Sequence, residues 1–173
     1  MPETLDTFET LQFFRGLSDE YSIDKTSIIV PRKDRRPRNS SPHFHEVADK
    51  WFLDKFGIPY RSQGVFVIAR VLSASAYATS PDHVVRVIPL STYRFCWSKK
   101  ISDLLFGAQK LANAPAEKIK DFLESACYQE DDLSAAHSSG NEVKSRPRFV
   151  GQFSWIFNKD PALRVKRPMP QLV

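Results

Sequence analysis

Three places in the chain carry side chains whose types could do chemistry together. The first is Val30-Pro31-Arg32-Lys33-Asp34-Arg35-Arg36-Pro37-Arg38. Cations this closely spaced repel one another unless an anion joins them. A diphosphate or a nucleic-acid backbone is such an anion, and arginine can bind phosphate with two hydrogen bonds. The second is Tyr60-Arg61-Ser62-Gln63-Gly64-Val65-Phe66, where a serine hydroxyl enters an apolar strand and can hold another side chain. The third is Ser139-Gly140-Asn141-Glu142-Val143, a carboxylate at a loop-to-strand junction that can project into a cleft. The last two are weak alone and gain weight from following the arginines in this order.

The elements that must position these residues can be read from periodicity. Leu5, Phe8, Leu11, Phe13 and Phe14 have helix-like spacing and predict a helix over residues 5–17, capped by Asp6 or Thr7 and stopped at Gly16. Ser27 to Val30 reads as a short buried strand ended by Pro31, and Asp34 to Pro42 as a loop. His43 to Phe56 is an amphipathic helix closed by Gly57 and Pro59. Strands follow at Gly64 to Ala69, Val84 to Leu90 and Tyr93 to Trp97, with a short helical stretch at Ser73 to Thr79. Helices are expected at Ile101 to Leu111, from Pro115 to about Tyr128, and briefly at Leu133 to His137. Ser138 to Asn141 reads as a loop, and the aromatic stretch Phe149 to Phe157 as the final strand. The fold class is therefore mixed α+β, in one domain: a helical N-terminal extension over 1–26, a body over 27–160, and an extended basic tail over 161–173.

Composition bounds what such a chain can be. Its 173 residues are 42% hydrophobic and 26% charged, enough to bury a core without disulfides or a structural metal. Cys96 and Cys127 are too few for a disulfide framework and read as reduced, buried thiols, a single bridge being the alternative. There is no secretion-type leader and no apolar run long enough to span a bilayer, so a cytoplasmic protein is expected. The net charge of +5 suits a nucleic acid or an anionic small molecule and requires neither. Two further basic stretches, Lys144 to Arg148 and Arg164 to Arg167, read as solvated loops or as phosphate contacts. Only 6 glycines are present, with no dinucleotide fingerprint and no phosphate-cradling loop.

Taken in order, the three segments resemble the cholera-toxin-like and pertussis-toxin-like ADP-ribosyltransferases. Those enzymes carry an arginine at the end of a first strand followed by x-Asp-x-Arg-Pro, which Arg32, Asp34, Arg36 and Pro37 match. Their Ser-Thr-Ser motif follows an aromatic residue on a second strand, and Tyr60-Arg61-Ser62 matches its beginning. Their catalytic glutamate opens a late strand, often before Val, as Glu142-Val143 does here. The resemblance spans roughly residues 28 to 157.

It implies a split central sheet and NAD as substrate, with no metal. Arg32 would fix the NAD phosphate or ribose, with Asp34 and Arg36 supporting the loop. Ser62 would hold Glu142, and Glu142 would bind the nicotinamide-ribose hydroxyl and stabilise an oxocarbenium-like transition state. Phe66 or Tyr77 could stack on nicotinamide, core packing being the alternative for both. Gln63 and Gly64 depart from the Ser-Thr-Ser pattern. Gly140 stands where arginine-modifying members carry a first glutamate, which argues against arginine side chains as acceptors. The charge then favours a nucleic acid, RNA first, over a protein acceptor. By analogy the role is that of an intracellular toxin in phage defence or a toxin–antitoxin system, with an antitoxin protein as partner.

Two other classes are open to the same residues. A non-catalytic nucleic-acid-binding domain explains the charge and leaves the order of Arg, Ser and Glu unexplained. A metal-dependent nuclease would have to use His43, His45 and Glu46 or Glu130, Asp131 and Asp132. The two histidines are two residues apart, a spacing that does not share a helical face.

Overall fold

A computed structural model describes residues 5–22, 27–29, 35, 39–90, 92–147 and 155–158. The chain begins with α1 (Leu5–Leu11), β1 (Phe13–Gly16) and β2 (Ser27–Ile29). Next come α2 (Pro42–Phe56), α3 (Tyr60–Gln63), β3 (Val65–Val67) and α4 (Val71–Ser75). A 3-10 turn leads into β4 (Val84–Pro89) and β5 (Tyr93–Ser98), followed by α5 (Leu104–Lys110) and α6 (Ala116–Ser125). The described chain closes with β6 (Tyr128–Gln129), α7 (Leu133–Ser139), β7 (Val143–Pro147) and β8 (Trp155–Asn158).

The strands form two antiparallel sheets, ordered β1-β4-β8-β2 and β3-β7-β5-β6. The fold class is α+β, as expected. Among the described residues, one backbone bridge joins the two sheets. Phe14 of β1 and Ile68, just past β3, exchange two backbone hydrogen bonds of 2.8 Å each. Beyond that bridge β1 turns to β4, and β3 turns to β7.

Alternation along the strands assigns each face its core. Val65, Val67, Tyr93, Phe95, Trp97 and Val143 join Phe13, Val85 and Val87 of the first sheet in one cluster, covered by Phe8 of α1 and by Leu133 and Ala136 of α7. The other face of the second sheet carries Cys96 and packs against α2, α5 and α6 through Phe44, Phe52, Leu104, Ile119 and Leu123. Polar links fasten α2 to α6: Trp51 Nε1 and Lys55 Nζ each donate to the Glu124 carboxylate at 2.7 Å. Ser41 caps α2 by accepting from Phe44 N, Pro42 occupies its first turn, and Gly57 ends it at a left-handed φ of 71°.

The chain departs from the sequence reading in four ways. The expected helix over 5–17 stops at Leu11, Gln12 takes a left-handed φ of 58°, and Phe13 to Gly16 form a strand. Phe13 and Phe14 are adjacent and both buried, in separate clusters. A strand can bury neighbours on opposite faces, which one stripe of a helix cannot. Second, Ser62 lies on the helical turn α3 rather than on a strand. Third, the late strand that Glu142 precedes is the polar β7, and the aromatic β8 belongs to the other sheet. Pairing on both sides, with β3 and β5, makes a central strand of Val-Lys-Ser-Arg-Pro. Fourth, Cys127 is exposed while Cys96 is buried, and both thiols are free.

Candidate active site

Glu142 sits one residue before β7, at the end of a turn held from several directions. Asp132 caps α7 by accepting from Ala135 N, and Gly140 closes the helix at φ 72°. A Cβ on Gly140 would stand 2.4 Å from Arg70 Nε, so Arg70 packs where a side chain would be. Asn141 Nδ2 donates to Ser98 O at 2.8 Å, and Glu142 N donates to Ser102 O at 2.8 Å. The backbone is thus fixed before the carboxylate begins. The Glu142 side chain is only 11% exposed and accepts from Lys144 Nζ.

Cations from four segments gather near this carboxylate: Lys144 bonds it, and its charge acts on Arg15, Arg35 and Arg61. Arg15 comes from β1, and its Nη1 donates to Phe66 O at 3.0 Å. Arg35 comes from the basic segment; its Nη1 donates to Gly64 O at 2.7 Å, and its guanidinium lies 4.6 Å from the Phe66 ring centroid. Arg61 comes from α3 and is 3% exposed. It donates to Ser40 Oγ at 2.9 Å and to His45 Nδ1 at 3.5 Å, and lies over the Phe44 ring. Lys144 comes from β7.

Burial lowers the pKa of Arg15 and of Arg61, and the charge of Glu142 works against that in both. Burial, then repulsion by Arg15 and Arg61, pulls Arg35 down to about 10, again opposed by Glu142. A guanidinium keeps its proton at neutral pH in a protein, so all three stay cationic. For Lys144 burial is outweighed by Glu142 and Tyr128, which hold the ammonium above its ordinary range.

Asp49 on α2 sets the height of Arg61 and Ser62. Pro59 offers no side-chain cap to α3. Asp49 Oδ1 instead accepts from the backbone N–H groups of Arg61 and Ser62 at 3.0 and 3.1 Å. Ser62 is buried beside this contact, and its hydroxyl donates to Pro59 O at 3.4 Å while Glu142 is held by Lys144.

The expected site residues fall into four groups, of which Ser62, its hydroxyl on Pro59 O, is one. Glu142 and Phe66 come together with the cations. Tyr77 is near: its hydroxyl donates to Asp103, the cap of α5, and its pKa is raised by burial, by that bond and by the charges of Asp103 and Glu142. Arg32, Asp34 and Arg36 lie outside the described residues.

Arg15, Arg61 and Lys144 were not assigned a role by sequence. Arg15 falls inside the expected helix; the adjacent buried phenylalanines were the signal that its segment is a strand. Lys144, read as part of a solvated loop or as a phosphate contact, is a 1% exposed strand residue. Its alternation with Glu142 and Arg146 was the signal.

The nuclease candidates are otherwise engaged. His43 Nε2 meets Ala114 O, His45 takes the Arg61 bond, and Glu130 accepts from Tyr60 and Arg94. Among the described residues no group of three His, Cys, Asp or Glu is close enough to hold a metal ion, and no helix is long and apolar enough to cross a membrane. Comparison with protein-family models, with curated proteins and with solved structures finds no match.

Proposed function

We propose that this protein is an NAD-dependent mono-ADP-ribosyltransferase whose acceptor is a macromolecule, RNA first among them. The observation that carries the reading is the meeting of Glu142 with Arg15, Arg35 and Arg61 beside Phe66, close to the bridge between the two sheets. Among the described residues the four cations outnumber the carboxylates whose charge acts on them, Glu142, Asp49 and Asp103. An excess of guanidinium charge that is buried at Arg61 and half-buried at Arg15 and Arg35 calls for an anion, and a diphosphate suits arginine forks.

In this reading Arg15, Arg35 and Arg61 bind the two phosphates. Arg15 takes the part of the first-strand arginine, because β1 precedes the strand that the sequence motif follows. Phe66 offers a ring face beside the carboxylate. Glu142 binds the nicotinamide-ribose hydroxyl and stabilises positive charge as the glycosidic C–N bond breaks. Nicotinamide leaves with the bonding electron pair, and the acceptor's nucleophile attacks the same carbon and gives up its proton. Gly140 serves as a left-handed helix terminus with no carboxylate to offer an arginine acceptor, which keeps RNA ahead of protein. A toxin role in defence is consistent with an acceptor of this kind.

The test is incubation with labelled NAD and cell extract, followed by ribonuclease, deoxyribonuclease and protease digestion. Label removed by ribonuclease and reduced about 100-fold by Glu142→Gln is expected. A protein that leaves NAD intact overturns the reading in favour of a binding domain, and labelling unaffected by Glu142→Gln overturns the assignment of Glu142 to the chemistry.

A further inference from the structure

The strand β7 buries a lysine in the middle of a sheet. Lys144 pairs with Phe66 on one side and Cys96 on the other. Its ammonium lies 5.1 Å from the Tyr128 ring centroid, 5.4 Å from Phe66 and 5.9 Å from Phe52. Such a cage favours a cation through the ring faces. It does not replace water for three N–H donors, so a lysine here needs an acceptor. Glu142 supplies it. The two residues are two apart, which puts both side chains on the same face as β7 begins.

We infer that Lys144 is a positioning residue for Glu142, an ammonium fixed by an aromatic cage that aims the carboxylate at the junction of the two sheets. This rests on the transferase reading. It also accounts for the departure from the Ser-Thr-Ser pattern. The Ser62 hydroxyl is directed to Pro59 O, and Gln63 and Gly64 stand where further hydroxyls would be. Glu142 takes its bond from the following strand instead. Lys144 is too buried to meet a nucleic-acid phosphate, so its charge acts inside the protein. Among the described residues, six titratable groups feel the charge of this carboxylate: Arg15, Arg35, Arg61, Tyr77, Tyr128 and Lys144. Of these, Lys144 donates a direct hydrogen bond to it.

The test compares Lys144→Met, which fills the cage without charge, with Lys144→Arg and with Glu142→Gln, using NAD as substrate. Lys144→Met is expected to lower kcat for NAD cleavage about 100-fold, the size of effect that misaiming a reacting group produces. KM for NAD stays within about threefold, because the phosphate-binding arginines are untouched. Lys144→Arg recovers part of kcat, and the double variant loses no more than Glu142→Gln alone. A folded Lys144→Met protein with wild-type kcat overturns the inference, as does a fall that adds fully to that of Glu142→Gln. A crystal structure of Lys144→Met reads the aim without any activity. A displaced Glu142 carboxylate supports the inference, and an unmoved one overturns it. Wild-type protein that leaves NAD intact overturns the transferase reading, and the crystal still decides whether Lys144 positions Glu142.

Discussion

Arg15 on β1 donates to the main-chain carbonyl of Phe66 on β3 at 3.0 Å, so a side chain of one sheet is fastened to the backbone of the other. The bond lies beside the Phe14–Ile68 bridge, where the two sheets touch. It holds one edge of the guanidinium and leaves other N–H donors for a ligand. A lysine has no such fork.

Arg15→Lys is therefore expected to raise KM for NAD about 10- to 100-fold, the range for losing a charge-assisted hydrogen bond. The thermal midpoint should change little, because the β1–β3 backbone bonds remain. Steady-state kinetics with a melting curve on the same sample checks both. An unchanged KM removes Arg15 from the phosphate site.

Gly140→Ala tests how the turn before Glu142 is held. The alanine must adopt a left-handed φ, which costs about 1–2 kcal/mol, and its Cβ meets Arg70. The melting temperature should fall by about 2–8 °C for a chain of this size. Adding Arg70→Ala relieves the contact and not the backbone cost, so the double variant should recover only partly. Full recovery would show that the left-handed conformation is not the constraint.

How much of this was legible in sequence follows from where each signal lies. The helix α2 was readable because its caps are local: Ser41, Pro42 and Gly57 each satisfy a need of the adjoining backbone. Glu142 was legible because a turn and a strand start surround it in sequence. The strand β7 was not, since Val-Lys-Ser-Arg-Pro has no apolar run and becomes central only through partners about 50 and 80 residues away. The same holds for Lys144: its cage is assembled from Phe52, Phe66 and Tyr128, which no local pattern joins. Ser62 was recognisable as a residue type, but which oxygen its hydroxyl meets depends on α3 and Asp49.

The two thiols should separate cleanly under a water-soluble disulfide reagent. Burial pushes the Cys96 thiol well above its ordinary range, while Cys127 is exposed at a left-handed φ of 53°. One thiol should react in the native protein and both after denaturation. Fast reaction of both in native buffer would contradict the buried face of β5.

His45 makes stability depend on pH in a predictable sense. Burial lowers its pKa, and the neighbouring Arg61 lowers it further, against the charges of Asp49 and Glu46. The neutral ring accepts from Arg61 Nε through Nδ1, a bond that protonation of that nitrogen would destroy. In the unfolded chain the histidine binds a proton near its usual pKa of about 6.5. Between that value and the lowered folded one, the unfolded state binds more protons, so stability falls as pH falls. His45's contribution is complete above the unfolded value and is lost progressively as pH drops toward the folded one. His45→Gln keeps an acceptor for Arg61 and has nothing to titrate. Melting temperatures of wild type and variant should therefore run parallel from pH 8 to about 7 and converge or cross below about 6. Parallel curves throughout would mean that His45 charges as readily in the fold as in the open chain.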